Sequence, residues 1–277
     1  MKPYYQHGGI TIYHGDCRDI LPALPPAALV FTSPPYNLGG APWPHLGHWK
    51  PGDSAGGKSK WKNGSDGSGG VSYASHPDNL PHAEYIDWQR SILTLCFSKL
   101  ADDGAIFYNH KPRVIGGKLW TPLEIVERFP LRQIITWARA GGMNFNPTAY
   151  VPTFEWIFVL ARDKFRLRDK SASGVGDVWY VPQRPDKDHP APFPIGLPLR
   201  ALETTKHGPV IDPFCGTGTT LQAAKKLGRE AIGIEIEERY CEVAAQRLSQ
   251  EVFDFTQPVS MPKNCQTKPD ENEQPHV

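Results

Sequence analysis

The residues that could do chemistry first appear in "TSPPYNLGG", from Thr32 to Gly40. A hydroxyl at Ser33, the two prolines Pro34 and Pro35 and the ring of Tyr36 close an apolar run, Ala28 to Phe31. Each proline fixes its own φ, so a buried strand would end here at a rigid corner. Pro-Pro and Asn-Leu-Gly-Gly are also ordinary strand punctuation, and by itself the corner reads equally well as a plain turn.

A second stretch, "GPVIDPFCGTGTTLQAAKKLGREAIGIEI" from Gly208 to Ile236, is more specific. A short strand ends at Asp212, a turn carries Phe214, Gly216 and Gly218, a helix starts near Thr219, and Glu235 closes another strand 17 residues after Gly218. That order belongs to a Rossmann-type nucleotide site, in which glycines admit close backbone approach and an acid on the next strand binds ribose hydroxyls. Two departures narrow the ligand. Leu221 stands where the third glycine of a dinucleotide site would be, and Asp212 at the mouth of the turn would repel a pyrophosphate. A P-loop is excluded because no Gly-Lys-Ser/Thr follows the turn. A nucleoside with a cationic, phosphate-free tail fits better, and S-adenosylmethionine is such a ligand. Thr219 and Thr220 could equally cap the helix.

These residues need elements to hold them. Short β-rich runs recur at Ile10–Tyr13, Ala28–Thr32, Ala105–Tyr108, Gln133–Trp137, Trp156–Leu160, Val210–Ile211 and Ala231–Ile234. Between them, Tyr85, Trp88, Ile92, Leu95, Cys96 and Leu100 share one 3.6-period face, as do Tyr240, Val243, Ala244 and Leu248. Strands alternating with helices predict an α/β domain with a mostly parallel sheet. Arg132–Trp137 and Glu155–Leu160, with no clear helix between them, predict an antiparallel pair at one edge.

The organisation expected is a single domain over residues 1–250 with two insertions. Residues 38–81, rich in Gly, Ser, Trp and Lys, form a long loop expected to be mobile. Residues 162–188 form a second, short polar insertion with basic residues. Residues 257–277 have the composition of a disordered tail. The formal charge is only +1, but Arg132 to Lys170 holds seven basic against three acidic residues. Such a patch is a solvated face unless another feature points to nucleic acid. Five scattered cysteines without a C-x-x-C pair argue for a reducing compartment and against structural zinc. Ten histidines without ligand spacing predict no metal. No apolar run is long enough to span a bilayer, so a soluble, cytoplasmic protein is expected.

With both stretches in view, the chain resembles the β group of DNA amino-methyltransferases. Ser33-Pro34-Pro35-Tyr36 is similar to the family's catalytic tetrad, and Asp212 to Thr220 to its cofactor loop, in the permuted order of that group. "HGDCRDIL" at His14–Leu21, "HPAPFPIGLPLRAL" at His189–Leu202 and "GIEIEERY" at Gly233–Tyr240 agree. The resemblance implies a Rossmann-like class I methyltransferase fold with seven strands, S-adenosylmethionine as cofactor and double-stranded DNA as partner. It also implies a homodimer and a restriction–modification setting, although a cognate endonuclease is not inferable from this chain.

By the same resemblance, the Ser33 hydroxyl and the Pro34 carbonyl accept hydrogen bonds from an exocyclic amino group on a flipped base, and Tyr36 stacks on that base. Phe214, Gly216 and Gly218 pass close to the methionine part, with Asp212 and Thr219 beside them. Glu235 holds the ribose hydroxyls, Asp16 and Cys17 border the adenine, and Phe193 and Pro194 complete the pocket. Asp16 as a turn cap and Phe193 as core are the plainer alternatives. Serine in the first position favours cytosine N4, with adenine N6 as the alternative. Cytosine C5 chemistry is excluded because no Pro-Cys dipeptide is present. A non-catalytic nucleic-acid-binding protein of the same fold, or a methyltransferase for RNA or protein, is the more distant alternative.

Overall fold

A computed structural model describes residues 1–37, 78–115, 117–139, 150–183 and 193–249. Most of the expected 38–81 loop and the whole 257–277 tail lie outside the described residues. The elements in chain order are β1 (Tyr5–His7), β2 (Ile10–His14), α1 (Cys17–Ile20), β3 (Ala27–Thr32), α2 (His82–Ser98), β4 (Leu100–His110), β5 (Arg113–Ile115), β6 (Lys118–Trp120), α3 (Leu123–Val126) and β7 (Leu131–Ala138). There follow β8 (Phe154–Ala161), α4 (Lys170–Ser173), β9 (Val178–Tyr180), α5 (Gly196–Thr204), β10 (Val210–Asp212), α6 (Thr219–Lys226), β11 (Ala231–Glu235) and α7 (Glu238–Ser249).

Nine strands form one sheet in the order β1-β2-β11-β10-β3-β4-β8-β7-β9, and β5 pairs with β6 in a separate hairpin. The five strands β2, β11, β10, β3 and β4 are parallel neighbours. β8 joins β4 antiparallel and β7 joins β8 antiparallel, which is the expected edge pair. The seven expected strands are therefore extended by β1 and β9, each three residues long. β9 lies within the 162–188 segment, so part of that segment belongs to the sheet, parallel to β7.

Strand alternation sorts the core into two layers. Leu29 and Phe31 of β3 pack with Leu221, Ala224, Ala244 and Leu248 beneath α5, α6 and α7. Val30 of the same strand packs with Tyr85, Ile92, Leu93 and Cys96 on the α2 side. Both faces of β3 are thus covered, which is why its sequence runs apolar without interruption.

The chain leaves β3 toward β4 on one side and leaves β10 toward β11 on the other, although β3 and β10 are neighbours. Ligands in open α/β sheets bind beyond the carboxyl ends of the strands at such a reversal. The carboxyl ends here are Thr32 and Asp212, where the Ser33–Tyr36 corner and the glycine turn singled out in the sequence begin.

Candidate active site at the strand reversal

The two stretches are joined across the reversal by a side-chain bond. Thr32 Oγ1 donates to Asp212 Oδ1 at 2.9 Å, across 180 residues of sequence. Asp212 is fully buried; it also accepts from the Phe214 amide at 3.1 Å and from Thr220 Oγ1 at 2.6 Å. Asp212 is thus the brace of the loop. Thr220 serves that brace, and α6 starts at Gly218 without a side-chain cap. Burial pushes the Asp212 carboxyl up to about 6.

Gly216 and Gly218 both hold positive φ, 50° and 84°. Gly216 aims its amide at Glu235 Oε2, 2.8 Å away, while the Glu237 amide donates to Oε1 at 2.9 Å. Burial pushes Glu235 up to about 7. Gly218 has a packing role: a Cβ there would lie 3.1 Å from Ala244 Cβ on α7. Among the described residues, neither Asp212 nor Glu235 forms an ion pair with Lys, Arg or His. The loop therefore holds two buried acids and no cation of its own.

The remaining residues expected at the cofactor loop surround it unevenly. Gly15 donates its amide to the Glu235 carbonyl at 2.9 Å, which brings the start of α1 beside the end of β11. Asp16 is the N-cap of α1 and pairs with Arg18. Cys17 is buried, and its thiol is pushed up to about 12, first by burial and then by Asp16. Phe214 lies against Trp88 on the α2 side, ring centroids 5.7 Å apart. Phe193 lies on the other side against Phe31, also at 5.7 Å, and the Pro194 carbonyl receives the Leu197 amide at the start of α5.

At the corner, Ser33 Oγ and Tyr36 Oη are 2.9 Å apart. Tyr36 Oη donates to Glu155 Oε2 at 2.9 Å. Asn109 Nδ2, from the end of β4, contacts Tyr36 Oη at 2.7 Å, Glu155 Oε2 at 3.0 Å and Ser33 Oγ at 3.3 Å. Arg139 pairs with the other Glu155 oxygen at 3.3 Å. Burial, and next the Glu155 charge, raise the Tyr36 phenol well above its ordinary value, so it remains a donor.

The prolines are held from the α2 side. The Pro35 carbonyl accepts from Tyr85 Oη at 3.0 Å and from Gln89 Nε2 at 3.1 Å. Among the described residues no group donates to the Pro34 carbonyl. His110 stacks on Tyr36, centroids 4.5 Å apart, and its Nε2 lies 2.6 Å from Tyr85 Oη. Burial holds His110 neutral. Its Nδ1 accepts from the Lys111 amide, so the proton sits on Nε2 and is donated to Tyr85, which leaves Tyr85 free to donate to Pro35.

Asn37 ends the described part of the corner with φ 57°. Its amide donates to Asp78 Oδ1 at 2.7 Å, and its side chain exchanges two hydrogen bonds with Leu80. The residues on either side of 38–77 are therefore clasped together at the corner.

Glu155, Asn109, His110 and Arg139 were absent from the residues expected by sequence. A single acid inside the otherwise apolar "FEWIFVLA" of β8 was the signal, since a buried Glu is almost always paired. The basic stretch Arg132–Lys170 does not gather at the site. Because β7 and β8 run antiparallel, Arg132 and Arg162 fall at the end of the sheet remote from Ser33, and only Arg139 reaches the corner. Among the described residues the cations around the corner are Arg139, Lys111 and Arg113, of which Arg113 donates to the Asn37 carbonyl at 3.0 Å.

Comparison with known proteins agrees with this geometry. Residues 27–246 match the family described as DNA methylase. The type II methyltransferase M.BglII of Bacillus subtilis is 29% identical over 285 aligned positions, covering 87% of this chain and 69% of that protein. M.ScaI of Streptomyces caespitosus is 28% identical, covering 90% and 84%. Among solved structures, the cytosine-N4-specific PvuII DNA methyltransferase superposes with a TM-score of 0.69 at 20% identity, covering 90% of this chain and 89% of that one. A DNA modification methylase of Thermus thermophilus, solved in complex with S-adenosyl-L-methionine, gives 0.58 at 23% identity, covering 88% and 95%.

Proposed function

This chain belongs to the DNA methylase family that acts on exocyclic amino nitrogens, and from that premise we propose that it transfers the methyl group of S-adenosylmethionine to cytosine N4 in double-stranded DNA. The observation that carries the proposal is the pair of acceptors at the corner, Ser33 Oγ and the Pro34 carbonyl, set across one strand reversal from a glycine loop with two buried acids. An exocyclic amino nitrogen is a weak nucleophile because its lone pair is delocalised into the ring. Acceptors fixed by two prolines draw its protons outward with little reorganisation as positive charge builds on nitrogen. Serine in the first position, and the likeness to an enzyme whose name specifies cytosine N4, favour that target over adenine N6.

The donor set fits S-adenosylmethionine. When bound, it supplies a methyl group made electrophilic by a sulfonium. Its cationic tail would compensate Asp212 and Glu235, which burial holds at about 6 and about 7 with no ion pair of their own. Glu235 would accept the ribose hydroxyls on the lone pairs that Gly216 and Glu237 leave free. Phe214, Gly216 and Gly218 with Thr219 would line the methionine part. Asp16 and Cys17 would border the adenine, and Phe193 with Pro194 would close the pocket on the α5 side. Tyr36 would present the ring face away from His110 to the flipped base.

We assign the whole described chain to one catalytic domain. Target recognition is assigned to residues 38–81 and 162–188, the first because its ends are clasped at the corner and the second because β9 runs back toward the corner beside β7. Among the described residues no helix is long and apolar enough to cross a membrane. The four cysteines among the described residues are buried free thiols, which suit the reducing cytoplasm, and a homodimer is the assembly proposed. The test is to methylate unmodified genomic DNA, digest it to nucleosides and identify the product by mass and retention. N4-methylcytosine supports the assignment, N6-methyladenine redirects it to the other amino group, and 5-methylcytosine overturns it.

A further inference from the structure

Beneath the corner lies a carboxylate for which the proposed reaction has so far found no use. Glu155 is 5% exposed, stands on β8 and reaches the corner from an antiparallel strand. The charged and titratable groups facing it are Arg139 after β7, Lys111 after β4 and the Tyr36 phenol, and Asn109 adds an amide. A carboxylate only accepts, so Tyr36 must spend its single proton on Glu155. The hydrogen bond between Ser33 and Tyr36 must then run from Ser33, and Ser33 Oγ, which also receives Asn109 Nδ2 at 3.3 Å, keeps a lone pair with which to accept. Replace the acid by an amide and this constraint disappears: a glutamine nitrogen could donate to Tyr36, Tyr36 to Ser33, and the Ser33 proton would turn outward against the amino group it should receive.

We infer that Glu155 is a positioning residue that fixes the direction of the Ser33–Tyr36 hydrogen-bond chain and takes the last proton of a relay through it. This rests on the amino-methylation described above. As the amino nitrogen forms its bond to the methyl carbon, the carbon–sulfur bond breaks and its electron pair stays on sulfur. The nitrogen, now carrying one proton too many, passes a proton to Ser33 Oγ. The Ser33 proton passes to Tyr36 Oη over 2.9 Å, and the Tyr36 proton to Glu155 Oε2 over 2.9 Å. The products are a neutral methylamino base, a neutral thioether and a protonated Glu155, which returns its proton to solvent before the next turnover. Asn109 holds all three oxygens in one cluster, and Arg139 keeps Glu155 aimed into it.

Single-turnover methylation of unmodified genomic DNA, measured in H2O and in D2O with saturating S-adenosylmethionine, tests this. The wild-type rate should fall in D2O, because protons move along the relay as the methyl group is transferred. Glu155→Gln should react about 100-fold more slowly with that isotope effect lost, Glu155→Asp should recover part of the rate together with the isotope effect, and calorimetry should show unchanged S-adenosylmethionine affinity in both. Tyr36→Phe cuts the relay while leaving Glu155 in place, so it should lose the same isotope effect even if Glu155→Gln does not fold, and the double variant should be no slower than the slower single one. A Glu155→Gln or Tyr36→Phe enzyme that keeps the wild-type rate and isotope effect overturns the inference. A wild-type protein that forms no methylamino base removes the reaction itself, a separately visible result.

Discussion

In the proposed reaction Ser33 accepts because a chain of donors ends on an acid, and Pro34 because nothing among the described residues donates to its carbonyl. Ser33→Ala should therefore lower the methyl-transfer rate by about 100- to 1,000-fold, the usual loss for one preorganised hydrogen-bonding group, while S-adenosylmethionine affinity measured by calorimetry stays unchanged. Glu235 makes a separate prediction. Its folded value, raised to about 7 from an ordinary 4.5, means that the ligand-free protein binds an extra proton between those pH values. Stability without ligand accordingly falls as pH rises through this window, by about 3 kcal/mol when it is fully crossed. A cationic ligand that favours the ionised acid recovers this, so the rise in Tm on adding S-adenosylmethionine should be larger at pH 8 than at pH 6, and Glu235→Gln should abolish the difference.

Among the elements, the loop between β10 and α6 is held by packing as much as by its fit to a ligand. At Gly218 a side chain would have to take φ 84° and approach Ala244 to 3.1 Å. Gly218→Val should cost about 1–3 kcal/mol in urea unfolding without any ligand present, and its loss of cofactor affinity would follow from that. Thr32→Val, which strands one bond to buried Asp212, should cost a similar amount. Sequence periodicity revealed most of this frame: β3, α2, β10, α6, β11 and α7 carry their signals locally, in apolar runs, turns and glycines. It missed what is non-local or short. β1, β9 and the β5–β6 hairpin are three residues per strand, too brief for any period to show. Glu155 stands 119 residues from Tyr36 and meets it only because β4 and β8 pair antiparallel. Gly218 was legible as a turn glycine and α7 as a helix, but not the contact between Gly218 and Ala244 that joins them.

For the molecule as a whole, net charge says little about DNA, because the basic residues are distributed over both ends of the sheet. Lys164 and Lys206, at the end remote from the corner, pair with Asp102 and Asp103. Exposed Lys118 stands opposite Ile115 on the hairpin whose first strand begins at Arg113, one of the cations at the corner. Lys118→Glu should weaken DNA binding similarly for all sequences and lower the slope of log affinity against log salt by about 1, whereas Lys164→Glu should leave both unchanged.

The strand order has a consequence for how the chain is made. β2 and β3 follow one another closely in the sequence, yet β11 and β10 lie between them in the sheet. The strands that fill the middle are thus made long after the two they join. Until they arrive, β2 and β3 each lack a parallel neighbour, and the nascent chain is most open to wrong pairing where the folded sheet is later filled.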